Sequence, residues 1–212
     1  MCSIAGEPMY IVFNPQRNQM LSSFTSNQYL LKKQALALTG IFRIYDANGQ
    51  MVAYSKQKMF KLKEDIRVYA DEEQTMEILM IKARSILDFS AAYDVFDSRT
   101  QQLIGTLRRK GLRSILRDQW EVLSPYDQVV GTIEEDSMGR ALLRRFLLGK
   151  LLPQDYDMII NGQRAMDLRQ RWHFFRYELE MTFEPASQVI DRRLGIAAGI
   201  LLAAIEGKQD DN

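Results

Sequence analysis

Cysteine is almost missing from this chain: Cys2 is the only one in 212 residues. A single thiol excludes an internal disulfide framework and fits a reducing compartment. Histidine also occurs once, as His173, within Arg171-Trp-His-Phe-Phe-Arg176. No second His or Cys stands near it, so zinc-ligand spacing is lacking and a structural or exposed role is expected. Charge of one sign is lacking too. The 28 Lys and Arg against 27 Asp and Glu leave a net charge of +1. There is no global field to hold nucleic acid, and no nucleic-acid partner is expected. No Pro-rich or Gly/Ser-rich stretch divides the chain. The opening residues, MCSIAGEPMYIVFNPQRN, show no basic region followed by an apolar core. A signal peptide is therefore not expected, and a cytoplasmic location is. Serine-nucleophile, P-loop, dinucleotide-fingerprint and EF-hand patterns are absent. The expectation is a non-enzyme with no catalytic residue, metal or cofactor.

Long apolar runs are scarce, which makes one of them conspicuous. Leu194 to Ile205 reads LGIAAGILLAAI without a polar side chain. At 100° per residue Leu194, Ile196, Ile200, Leu201, Leu202 and Ile205 cover the whole circumference of a helix, so every side must be buried. Such a helix is about 18 Å long, against a bilayer core of about 30 Å, and no transmembrane span is expected. Gly195 and Gly199 are spaced G-x-x-x-G. Without a span, that spacing points to close approach of surrounding side chains to the helix backbone. The helix is expected to reach back toward Ser187.

The surroundings of this helix are legible as recurring hairpins. Phe42 to Tyr54 is one; Tyr93–Asp97 with Leu103–Leu107 is a second. Trp120–Leu123 with Val129–Ile133 and Tyr156–Ile160 with Arg164–Leu168 are the third and fourth. Asn-Gly at 48–49 and 161–162 is a strong tight-turn signal, because both residues tolerate positive φ. Gly105 and Gly131 fall at matching places in their second strands, where glycine marks a bulge, a bend or a close backbone approach. Tyr29–Gln34, Ile66–Tyr69 with Met76–Lys82, and His173–Phe183 also read as strands. The total is about twelve. Met138–Leu148, after Asp136-Ser137, reads as a second helix. Hairpins followed by one wholly apolar helix predict a mainly β protein, a closed antiparallel barrel around that helix. The organisation expected is a lead segment at 1–24, one barrel domain at 25–208 and a short tail at 209–212.

Four segments carry a family resemblance. They are Tyr54-Ser-Lys-Gln-Lys-Met-Phe-Lys-Leu-Lys-Glu-Asp-Ile-Arg-Val-Tyr69, the Tyr-x-Val-x-Asp hairpin at 93–97, the basic run with tryptophan from Leu107 to Val122, and Asp191 to Glu206. In this order they resemble the tubby-like fold of the LURP-one-related proteins and the phospholipid scramblases. The resemblance implies a twelve-stranded antiparallel barrel around a hydrophobic C-terminal helix. In the eukaryotic tubby proteins that fold binds phosphoinositide headgroups through basic residues. Their ligand residues do not align here one by one, and none is carried over. The calcium segment proposed for scramblases corresponds to Glu184–Asp191, which has too few carboxylates for a calcium loop. The scramblases' palmitoylated cysteine cluster is missing, and scramblase-like activity ranks last.

The candidate ligand-binding residues are Arg108, Arg109, Lys110, Arg113 and Arg117. With Arg99 they lie between Ser98 and Arg117, a stretch free of acidic residues. Arginine forks match phosphate oxygens, so the run suits an anionic headgroup or phosphorylated ligand at a peripheral membrane surface. Charges solvating an ordinary strand and turn would look the same, and Asp118 and Glu121 stand close enough to neutralise part of the cluster. Arg144, Arg145 and Lys150 form a second basic group, opposite an apolar stripe that reads as core packing. The alternative to a lipid-binding module is a protein-interaction scaffold, which an exposed apolar patch away from the basic run would favour.

Overall fold

A computed structural model describes residues 24–34, 39–58, 65–85, 91–110, 119–135, 154–171, 177–184 and 190–205. The strands are β1 (Gln28–Gln34), β2 (Thr39–Asp46), β3 (Met51–Lys58), β4 (Ile66–Tyr69), β5 (Glu77–Ser85) and β6 (Ala92–Asp97). They continue as β7 (Leu103–Arg109), β8 (Gln119–Leu123), β9 (Val129–Glu135), β10 (Asp155–Ile160), β11 (Gln163–Arg171) and β12 (Tyr177–Phe183). One helix, α1 (Arg192–Ile205), follows among the described residues. Each strand pairs with its neighbours in sequence, and β1 pairs with β12 to close the ring. This is the twelve-stranded antiparallel barrel expected. The segment Met138–Leu148, its basic residues and His173 lie outside the described residues.

Five hairpins share one departure from simple alternation. In each, the second strand carries an extra residue just after the turn: Val52, Ile78, Ile104, Val130 and Ala165. The first four recur every 26 residues. A bulge bends its strand and adds right-handed twist, which is the curvature a closed barrel needs. It also places consecutive residues in the core, so Val52 and Ala53, Ile78 and Leu79, and Ala165 and Met166 are all buried. Period two alone does not anticipate that.

The tight turns close one end of the barrel. At Asn161-Gly162 both residues have positive φ, 50° and 79°. At Asn48-Gly49 only Gly49 does, at 77°. The turn there is one residue longer than a two-residue hairpin. Gly49 N–H donates to the Asp46 carbonyl at 3.0 Å, and the Asp46 carboxylate accepts Asn48 and Gln50 N–H. An aspartate at the head of a turn offers the backbone an acceptor of its own. Asp71, Asp97 and, by its hydroxyl, Ser124 do the same for three further turns.

Helix α1 enters from this turn end and fills the barrel. Ile190 and Asp191 precede it in non-helical conformation, so it starts at Arg192 and not near Ser187. Asp191 caps it, accepting the Arg193 N–H at 2.9 Å, a contact of the kind that contributes about 1 kcal/mol. Leu194 through Ala204 are all buried, and terminal Ile205 is half-buried at the far mouth. Gly195 lies against the Phe183 ring and Met166, and Gly199 against Met181. The G-x-x-x-G pair thus admits the wall of the barrel to the helix backbone. No helix among the described residues is long and apolar enough to cross a membrane.

Candidate functional site

The basic run sits at the barrel end opposite the tight turns, where β7 finishes and β8 begins. Strand alternation divides it. Arg108 pairs in register with Glu121 on β8, and Arg109 pairs with Trp120. Trp120 belongs to the core, 1% exposed, so Arg109 shares the inner face and Arg108 the outer. Arg108 donates from Nε and Nη2 to one Glu121 oxygen at 2.8 and 2.6 Å. Lys110 Nζ stands 3.0 Å from the other oxygen. Burial resists ionisation of Glu121, but hydrogen bonds from Arg108 and Lys110 outweigh it and hold the carboxyl below its ordinary range.

The five predicted basic residues are therefore not one described cluster. Arg108 and Lys110 converge on a shared carboxylate, Arg109 turns inward, and Arg113 and Arg117 lie outside the described residues. Arg99 is in the β6–β7 turn at the other end of β7, where its N–H donates to Asp97. Consecutive strand residues face opposite sides, and a strand's length separates its two ends.

The charge ratio at Glu121 is the reverse of that at three arginines elsewhere. Arg84 meets both Asp94 and Asp127, Arg164 meets Asp157 and Glu184, and Arg193 meets Asp97 and Asp191. At the β7–β8 corner the Glu121 carboxylate serves two cations, and a second carboxylate, Glu134, stands one register pair away on the same face, held by Gln119 and Thr132. Both cations are accessible, with 39% and 43% of their side-chain surface exposed.

The inner face at this end is polar and aromatic. The Tyr93 and Trp120 rings lie 6.1 Å apart at 36°. Burial raises the Tyr93 hydroxyl pKa, and the charge of Arg109 partly opposes the rise. Lys33 on β1, Glu135 on β9 and Glu178 on β12 are buried at the same end of the barrel, and none is without a partner. The sequence reading assigns no role to Tyr93 or Trp120. Their relation to Arg109 requires the β7–β8 register, although a tryptophan directly after a basic run is a visible cue. Among the described residues, no group of three or more His, Cys, Asp or Glu side chains is placed to hold a metal.

An up-and-down barrel of twelve strands closed around a hydrophobic helix defines the tubby-like class. The chain belongs to the LURP-one-related family, whose profile matches residues 51–179. Its fold is similar to the X-ray structure of a protein from Arabidopsis thaliana, with a TM-score of 0.51 at 11% identity, covering 85% of this chain and 93% of that one. At that identity the likeness speaks for the fold alone. No curated protein matches the chain in sequence.

Proposed function

We propose that this chain is a non-enzymatic binding module that recognises anionic phospholipid headgroups or phosphorylated ligands through the outer basic corner of the barrel, acting in the cytoplasm at a membrane periphery. The observation behind this reading is the sharing of the Glu121 carboxylate by two exposed cations, Arg108 and Lys110, on a segment that continues in sequence to Arg113 and Arg117. An anionic leaflet attracts each basic residue near it by about 1 kcal/mol. Co-sedimentation with phosphatidylcholine vesicles, with and without phosphatidylserine, tests it. Binding is expected only to the anionic vesicles, to weaken with added salt, and to fall in the double variant Arg108→Glu, Lys110→Glu. Equal binding to both vesicle types, or no effect of the charge reversal, overturns the reading.

One observation favours a protein-interaction scaffold. Tyr126 is 85% exposed and Val129 51%, at the β8–β9 turn, away from the basic corner. An exposed aromatic and an exposed aliphatic on one turn offer apolar side chains to a protein partner. A partner whose capture is lost in Tyr126→Ala and unchanged by the charge reversal supports the scaffold over the lipid-binding module.

A further inference from the structure

Trp120, the second residue of β8, stands at the mouth of the barrel with its indole N–H buried and without an acceptor among the described residues. A buried indole donor ordinarily finds a partner, because leaving it unpaired forfeits its hydration with nothing in exchange. A buried donor left this way is open to an acceptor that binds there. Its neighbours say what kind. Arg109 is its cross-strand partner on the inner face, and the Tyr93 ring packs 6.1 Å away. The patch therefore combines an indole N–H, a guanidinium and a phenol. Two of these only donate, and the guanidinium carries a fixed charge. An oxyanion accepts from the indole and suits the guanidinium's charge, whereas a cation meets like charge and an apolar guest leaves the indole unpaired. Buried Glu135 and Glu178 at the same end already have partners, as Arg109 has. The indole is thus the group still open to an incoming acceptor.

We infer that the inner mouth between β7 and β8 takes a single phosphate group, with Trp120 Nε1–H donating to one of its oxygens and Arg109 supplying the counter-charge. This site lies on the inner face and does not depend on the outer corner binding a membrane. The phosphate could come from a lipid headgroup or from a soluble phosphate ester, and the experiment separates the two.

The chain has two tryptophans, so the amide spectrum of ¹⁵N-labelled protein contains two indole cross-peaks, assigned with Trp172→Phe. Inorganic phosphate is expected to move the Trp120 peak downfield and saturably, while chloride at equal ionic strength does not. Arg109→Gln is expected to weaken the titration about tenfold or more, as loss of a charge-assisted contact does. A Trp120 peak that stays fixed, or moves equally in chloride, overturns the inference on the wild-type protein alone, whether or not the variant folds. An unchanged titration in folded Arg109→Gln also overturns it. With the phosphate response established, Trp120→Phe assigns the source. Loss of binding to phosphatidic acid vesicles points to a lipid headgroup, and unchanged vesicle binding with a response to glycerol phosphate points to a soluble ester. Failure of the outer reading appears separately, as indifference of vesicle binding to charge reversal at Arg108 and Lys110.

Discussion

Two glycines four residues apart on α1 meet different neighbours, and a single methyl group distinguishes them. A Cβ on Gly195 would stand 2.5 Å and 2.7 Å from two carbons of the Phe183 ring and 2.9 Å from Met166 Sδ. The ring is held edge-on by Tyr29 at 5.9 Å and covered by the Arg192 guanidinium at 5.0 Å, so it cannot swing away freely. On Gly199 the same Cβ would meet Met181 Sδ at 2.4 Å. That is the far end of an unbranched thioether with other rotamers to adopt. Alanine gains about 1 kcal/mol over glycine in a helix interior, and overpacking costs about 1–3 kcal/mol. Gly195→Ala is therefore expected to destabilise the protein, and Gly199→Ala to be close to neutral. Denaturant midpoints of the two variants check this, and the reverse order would contradict the packing described.

At the scale of the element, the barrel wall is uneven. β2 and β3 share seven register pairs, whereas β3 and β4 share one, Tyr54 with Tyr69. Continuing that register would set Lys56 opposite Arg67, and like charges directly opposed disfavour pairing. The buried Ser55 hydroxyl spans the gap and donates to the Arg67 carbonyl at 2.8 Å. Amides facing this seam are expected to exchange with solvent faster than those of the β2–β3 ladder. Ser55→Ala is expected to cost about 1–2 kcal/mol and to raise exchange across Ile66–Tyr69 further. Equal protection on the two sides of β3 would remove the seam. None of this is visible from residue order, because strand existence depends on local pattern and pairing quality on a partner distant in sequence. The same division runs through the whole reading. Turn chemistry at Asn161-Gly162 and the apolar run of α1 are local, and both are legible. The bulges at Val52, Ile78, Ile104 and Val130 sit within apolar pairs that fit either face. The basic run is legible as composition, and alternation alone could have divided Arg108 from Arg109. That Glu121 joins Arg108 to Lys110 needed the β7–β8 register.

For the whole molecule, the decisive junction is where the helix is fastened to the barrel. Arg193 pairs with Asp191 at its own helix start and with Asp97 at the head of the β6–β7 turn. Asp97 thus holds two things together. Its carboxylate accepts the Arg99 and Thr100 N–H groups that shape the turn, and it receives the Arg193 guanidinium from the helix. Burial opposes ionisation of Asp97, but the Thr100 N–H and Arg193 outweigh it and keep its pKa below the ordinary carboxylate range. A carboxyl depressed on folding contributes stability above its unfolded pKa, near 4, and that contribution disappears as pH falls through the lower folded value. Asp97→Asn separates the two roles, since the amide oxygen still accepts the turn N–H groups while the charge facing Arg193 is gone. The variant is expected to unfold at lower denaturant than wild type at neutral pH. The gap should begin to narrow as pH falls below about 4 and close only under the lower folded pKa, where the folded wild-type carboxylate is protonated as well. Denaturant midpoints measured across that range decide it. A gap that persists unchanged into acid would mean that the charge of Asp97 does not fasten α1, and that apolar packing alone keeps the helix in the barrel.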